Sequence, residues 1–496
     1  MGILKQLAAM QGRVGTRSTH GLSDAQLHGF LQDQQLVQAV ADGEVVQQRL
    51  IKEFPTLALE SEERLMDLLQ ADFVNFYAAD QRNPYIPVAG RGPWLVTFHG
   101  AVLHDSGGYG MIGFGHAPDT VLKAMSTPQV MANIMTPSFS QLRLGQRLKR
   151  EIGSRRAGVC PFDRFICMNS GSEAVTVATR ISDINAKKMT DPGGRHAGKR
   201  LMYLSLKGGF HGRTEKPAML SDSSAKAYRA NLASFRNLNI NYTVEPNNLA
   251  DLKAAFDWAD QQAVFFESMY VEPVMGEGDP GKAITPEFYA LARQLTAASG
   301  TLLVIDSIQA GIRAQGYLSL TDYPGFEALL PPDMETYSKA LNAGQYPLSI
   351  LALTQSAAKI YVRGVYGNTK TANPRALDVA VAVLELVTPA LRQNIQAKGH
   401  EFLQKFSALG QRHPQVVHKV QGTGLIISID IFADAFHIIG IGQLEEYLRK
   451  KGIGVIHGGT NSLRFTPHFA ITSEEIDLIT AALEAAFISG PRLKKV

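Results

Sequence analysis

Apolar residues along this chain fall into two rhythms that alternate through its middle. Short unbroken apolar runs recur between about residue 164 and residue 353, each closed by glycine, serine or a charged residue. Among them are Arg164-Phe165-Ile166-Cys167-Met168, Leu201-Met202-Tyr203-Leu204-Ser205, the two pieces Ala263-Val264-Phe265-Phe266 and Met269-Tyr270-Val271 that read as one strand, and Leu302-Leu303-Val304-Ile305. A segment apolar at every position predicts a strand buried on both faces, the habit of parallel sheets. Between these runs the apolar positions recur near every 3.6 residues, as in Val175–Arg180 and Pro286–Arg293. Strand, helix and strand in succession predict an α/β domain, a mostly parallel sheet with helices on both faces.

The flanks read differently. Polar helical stretches fill residues 1–93, with an amphipathic helix at Glu62–Gln70 and a loop at Asn83–Pro87. Trp94–Phe98 and Ala101–Asp105 predict paired strands around a two-residue turn, His99-Gly100. A long helix is expected over Ala376–Val387, and past about Gln411 the pattern shortens to a strand at Leu425–Ile431 and a helix at Leu444–Arg449. The expected division is a helical leader over 1–93, an entry segment over 94–150, a large domain over 151–375, and a linking helix with a small domain over 376–496.

Composition narrows the function. At 496 residues the chain is too long for a single core, and 45% hydrophobic with 19% charged residues reads as globular throughout. A net charge of +4 is slight for this length, and the basic residues are scattered, so no nucleic-acid partner is expected. Only Arg492-Leu493-Lys494-Lys495 is locally basic, a solvated end. Cys160 and Cys167 have no metal-like spacing with histidine and are too few for a disulfide framework, so no metal site and a reducing, cytoplasmic setting are expected. No apolar run approaches the roughly 20 residues of a membrane span, and the first residues lack a secretory pattern.

The chemistry gathers at two strand ends. Asp306 closes the run Leu302–Ile305, and Lys339 follows Met334-Glu335-Thr336-Tyr337 in Ser338-Lys339-Ala340-Leu341. Open α/β sheets bind ligands at such carboxyl ends. An amine to condense with an aldehyde and a carboxylate to keep a pyridine nitrogen protonated are what pyridoxal phosphate (PLP) requires. Upstream, a strand leads through Asn169-Ser170-Gly171-Ser172-Glu173 into a helix, which suits an anion site and an ordinary N-cap equally well. The glycine cluster from Gly107 to Pro118, taken alone, is a loop that turns the chain.

Together these motifs resemble the fold-type I, class III (ω-type) PLP-dependent aminotransferases, and the likeness runs from about Trp94 to about Leu483. Asp306, Gln309 and the Ser-Lys-Ala-Leu lysine match that family's central pattern, as do Gly113-Phe114-Gly115-His116-Ala117-Pro118, Glu272-Pro273-Val274-Met275-Gly276-Glu277 and Leu463-Arg464-Phe465-Thr466-Pro467. The resemblance implies a large domain with a mostly parallel sheet of the seven-stranded type, and a smaller α+β domain formed by both chain ends. It implies that Lys339 carries PLP and acts as general base and acid, while Asp306 holds the ring nitrogen protonated. Gln309 then sits near the ring hydroxyl, Phe210 stacks on the ring, and His211 is a positioned loop histidine of the cofactor site. Gly171 and Ser172 hold the phosphate, joined by Thr369 from a second subunit of a homodimer. Glu277 and Arg464 are implied on the substrate side, Arg464 as a carboxylate clamp. The implied reaction moves an amino group from an amino acid or ω-amine donor to a 2-oxo acid. An aminomutase, decarboxylase or racemase, or a binding protein without turnover, would use the same fold. One departure stands at the centre: where the family has Asp-Glu-Val-Gln, this chain has Asp306-Ser307-Ile308-Gln309, with the following arginine displaced to Arg313.

Overall fold

The computed structural model describes residues 2–236 and 238–493, and of Tyr109 the backbone alone; Lys494 and Lys495 of the basic tail lie outside the described residues. Two compact units emerge: Thr120–Gln396 with Gly422–Ile426, and Met1–Asp119 with Ala397–Gln421 and Ile427–Val496.

The first unit is built on a seven-stranded sheet. Its spatial order is Arg164–Met168, Ser349–Leu353, Met334–Tyr337, Leu302–Asp306, Val264–Val271, Arg200–Leu206 and Asn241–Val244. All neighbours are parallel except Ser349–Leu353, which runs antiparallel to both of its partners. Alternate residues of each strand serve opposite faces. Leu303 and Ile305 join a core with Phe288, Tyr289 and Ala292 of the helix Pro286–Ser299. Val304 and Met334 join another with Ala174, Val175 and Ala178 of the helix Gly171–Thr190. Both faces are thereby covered, which is why these strands read as continuous apolar runs.

The other unit holds the strands Pro87–Arg91, Trp94–Thr97 and Val102–Asp105, with Ile453–Gly454 added parallel to the last. The hairpin between Trp94–Thr97 and Val102–Asp105 is confirmed, but its loop is one residue longer than the turn expected at His99-Gly100. Thr97 donates to the carbonyl of Ala101 across the loop, and Gly100 adopts φ +69°, the left-handed conformation a three-residue hairpin needs. The leader is packed into this unit. Buried Gln47, on the helix Gln34–Glu53, donates to the carbonyls of Met10 (3.0 Å) and Phe98 (2.6 Å). Glu62, fully buried, accepts from the amides of Ser18 and Thr19. No helix among the described residues is long and apolar enough to cross a membrane.

Candidate active site

The strand Leu302–Asp306 delivers a buried carboxylate at its carboxyl end. Asp306 is 3% exposed, and its Oδ2 lies 2.8 Å from Nδ1 of His211, while Oδ1 accepts from the Ile308 amide (3.2 Å) and from Thr336 Oγ1 (3.3 Å). The His211 loop is fixed by its own backbone: the His211 amide donates to Ser221 Oγ, and the Phe210 amide to Glu272 Oε1 at 2.9 Å. Glu272 also accepts from the Gly276 amide. Burial pushes the Glu272 carboxyl up to about 7, against the opposing influence of His211. A fully buried strand, Val264–Val271, has carried this glutamate into the interior, so it holds two loops together and does not face solvent.

One strand further along, Met334–Tyr337 feeds a single tight turn, Lys339–Asn342. Lys339 adopts φ +35°, a conformation that costs a non-glycine residue about 1–3 kcal/mol and persists only where its surroundings impose it. Here they do: Ser338 Oγ and Asn342 Nδ2 both donate to the Leu348 carbonyl at 2.9 Å and clamp the turn. The lysine amine donates to Gln309 Oε1. Gln309 packs against Gly276, where a Cβ would lie 2.6 Å from Gln309 Cγ, so the approach requires glycine. Lys339 and Gln309 thus meet after the neighbouring strands Met334–Tyr337 and Leu302–Asp306, and the loop after Arg200–Leu206, which carries Phe210, brings His211 to Asp306.

The third component is the start of the helix Gly171–Thr190. Ser170 caps it through the Glu173 amide, and the amides of Gly171 and Ser172 lie in the first turn, which has no intrahelical acceptors. Ser172 Oγ accepts from the Arg213 amide, tying this turn to the loop after His211. Glu173, which sequence reasoning passed over, anchors another loop: its Oε1 accepts from Tyr366 Oη (2.5 Å) and Asn368 Nδ2 (2.6 Å). Partial burial opposes its ionisation, but these donors hold the carboxyl below the usual range. Its position three residues after an N-cap serine was the available signal. Thr369, next on that loop, is exposed.

Among the remaining candidates, Glu277 is half-buried in the loop after Glu272. Arg464 belongs to the other unit, buried on the strand Ser462–Phe465 opposite Ser428 and Ile456. Arg313 is fully buried, donating to the Leu425 carbonyl at 3.3 Å. Ser307 makes sense of its departure from the family pattern: its hydroxyl donates at 2.6 Å to Glu335, a fully buried glutamate on the next strand. A carboxylate absent from position 307 is present 2.6 Å from its hydroxyl, on a neighbouring strand.

The residues present fit PLP. Gln309 Nε2 is buried with no hydrogen-bond partner, a donor awaiting an acceptor such as a ring oxygen. A lysine amine, a buried aspartate backed by a histidine, and a helix start able to bind phosphate complete the donor set.

The family described as Aminotransferase class-III matches residues 76–487, and the chain belongs to it. It is a PLP-dependent aminotransferase. The acetylornithine/succinyldiaminopimelate aminotransferase of Yersinia pestis is 28% identical over 414 residues, covering 82% of this chain and 93% of that protein. An ornithine aminotransferase of Staphylococcus epidermidis is 26% identical over 428 residues, covering 84% and 98%. The crystal structure of the ornithine aminotransferase from Toxoplasma gondii superimposes with a TM-score of 0.73 at 21% identity, over 88% of this chain and 98% of that one. This last likeness concerns the fold.

Proposed function

We propose that this aminotransferase takes its amino group from the ω-amine of a basic amino acid or its acylated form and passes it to a 2-oxo acid, with Lys339 as the cofactor-bearing residue. The observation that carries this reading is the clamped, left-handed turn that holds the Lys339 amine on Gln309 beside the buried Asp306–His211 pair. The donor class follows from the relatives, named for ornithine and acetylornithine. When bound, PLP supplies an aldehyde for the donor amine and an electron-withdrawing ring. Asp306, oriented through Oδ2 by His211, would keep a proton on the ring nitrogen. Phe210 would stack on the ring, Gln309 would donate to the ring oxygen, and the amides of Gly171 and Ser172 would hold the phosphate. Nζ of Lys339 would take the proton from the donor carbon as a base and release it as an acid to the carbon that bore the aldehyde. Arg464 grips the carboxylate of the 2-oxo acid through paired hydrogen bonds, and Glu277 offsets its charge when the donor brings no carboxylate there.

The enzyme works as a cytoplasmic homodimer in this reading, with Thr369 completing the phosphate site of the partner subunit. Two free cysteines support the reducing setting. Val130, Met131, Ile134, Met135, Phe139 and Leu142 are all more than half exposed, Met135 at 88%, an apolar patch of the kind that a second subunit covers. The patch adjoins the Thr369 loop: Asn133 Nδ2 donates to the Thr369 carbonyl and the Ile134 amide to that of Thr371. Borohydride reduction and peptide mapping should place a pyridoxyl group on Lys339; recovery on another lysine would sink the assignment. Ornithine, acetylornithine and simple α-amino acids, compared as donors to 2-oxoglutarate, test the substrate class, and preference for an α-amino acid would overturn it.

A further inference from the structure

In the unit that contains both chain ends, three buried side chains from distant parts of the sequence meet. His104 comes from the strand Val102–Asp105 and is fully buried; His468 lies in the loop after Phe465; Glu475 stands in the first turn of the helix Ser473–Ser489. His468 Nε2 is 3.0 Å from Glu475 Oε2, and His104 Nε2 is 3.7 Å from Glu475 Oε1. One ligand atom from each residue lies within 4.8 Å of the others. Both ring nitrogens of His104 are buried without a hydrogen-bond partner, a condition native interiors avoid.

We propose that His104, His468 and Glu475 form a binding site for a divalent transition-metal ion of the zinc class. Two imidazoles and one carboxylate suit such an ion, whereas calcium and magnesium favour oxygen alone. An ion bonded at about 2.0–2.1 Å to each ligand separates them by roughly 3.3 Å in tetrahedral geometry; the 3.0 and 3.7 Å spacings to Glu475 bracket that value, and the widest spacing, within 4.8 Å, closes by as much as about 1.5 Å on binding. The surroundings already orient the ligands. The Thr472 amide donates to Glu475 Oε2 at 2.8 Å, and the Trp94 ring stands edge-on to His104 with centroids 5.3 Å apart. Water completes the coordination. A contrast within the same unit shows what the third ligand adds: His99 also has two unpartnered ring nitrogens, Nδ1 lying 3.7 Å from Glu62 Oε1, but among the described residues that pair belongs to no set of three. The ion would cross-link a strand near the amino end to the carboxyl-terminal helix, so its binding energy is folding energy of this unit.

The test uses the full-length holoenzyme grown with zinc, dialysed, and assayed for metal beside His468→Gln, with the visible band of the bound cofactor as the check on folding. About one zinc per chain is expected in the wild type and close to none in the variant, and zinc returned to stripped wild type should raise its thermal midpoint by several degrees. Wild-type protein that retains no more zinc than His468→Gln overturns the proposal. Should the variant fail to fold, cobalt titration of stripped wild type decides alone: tetrahedral visible bands that saturate at one equivalent uphold the site, and their absence overturns it.

Discussion

Where the strands Leu302–Asp306 and Met334–Tyr337 run side by side, the sheet buries two carboxylates on opposite faces and treats them in opposite ways. Asp306 pairs with Thr336, and Ile305 with Glu335, so Asp306 points to the face of the helix Gly171–Thr190 and Glu335 to that of the helix Pro286–Ser299. Asp306 meets the imidazole of His211. Glu335 meets only neutral donors: Ser307 Oγ (2.6 Å), Ser319 Oγ (2.5 Å) and the Leu320 amide (2.9 Å). Burial, opposed by these donors, pushes the Glu335 carboxyl up to about 7. One carboxylate is aimed at chemistry, and the other joins strands and turns. The partners differ in kind: an imidazole faces Asp306, while the neutral donors around Glu335 do not offset the effect of its burial.

The largest effect expected from breaking this contrast comes from Asp306→Asn. A neutral amide cannot hold a ring proton, so turnover should fall on the order of 100-fold or more, roughly 3 kcal/mol, with little change in thermal midpoint. Near-normal kcat in a folded variant would refute the role given to Asp306. Ser307→Glu attacks the other face. It restores the family's glutamate but sets it against Glu335, and two carboxyls in one buried site should cost roughly 3 kcal/mol of stability. The double variant Ser307→Glu, Glu335→Val should regain most of that loss in urea unfolding. If it does not, Glu335 is no counterpart of the glutamate missing at position 307.

His211→Gln tests the support of Asp306 and should act more gently, about 10-fold on kcat/KM, near 1.4 kcal/mol. Its signature is a loss of kcat/KM with little change in thermal midpoint, because the imidazole orients the Asp306 carboxylate from 2.8 Å. A comparable loss of thermal stability would make His211 a packing residue.

What the sequence made legible follows from the range over which each feature is written. The parallel sheet is local: strands such as Leu302–Asp306 carry in sequence the apolar run that burial on both faces demands. The antiparallel course of Ser349–Leu353 was not legible, because a strand in that position is as apolar as its parallel neighbours. The long helix Pro389–Arg412 escaped as well, its polar and apolar positions mixed along much of its length. Near the site, Asp306 and Lys339 announce themselves by strand ends, and Phe210 with His211 by a family motif. Glu335 does not, since Ser307, Ser319 and Leu320 reach it from separate turns. The cluster of His104, His468 and Glu475 is further still from any spacing rule. Departures from a family pattern were the best pointers available: Ser307 marked the place where Glu335 compensates.

The smallest effect, and the finest test of the comparison, is the pH dependence of stability in Glu335→Gln. The folded-state value of Glu335 is raised from 4.5 to about 7, so the folded protein binds its proton more tightly than the unfolded chain does. The associated stability is therefore full below about pH 4.5, declines as pH rises toward 7, and is absent above that. At about 1.4 kcal/mol per unit the upper limit is roughly 3 kcal/mol, and reorientation of the serine hydroxyls brings the expected change nearer 1 kcal/mol. Glu267 and Glu272 are also raised to about 7, mainly by burial, so the wild type should lose stability from pH 5 to pH 8 through all three. Glutamine cannot ionise and removes one share. Thermal midpoints should therefore nearly coincide for wild type and variant at pH 5, and the variant should be the more stable at pH 8. A constant difference across that range would mean that Glu335 is already ionised throughout, and that the two faces of the sheet hold their carboxylates alike.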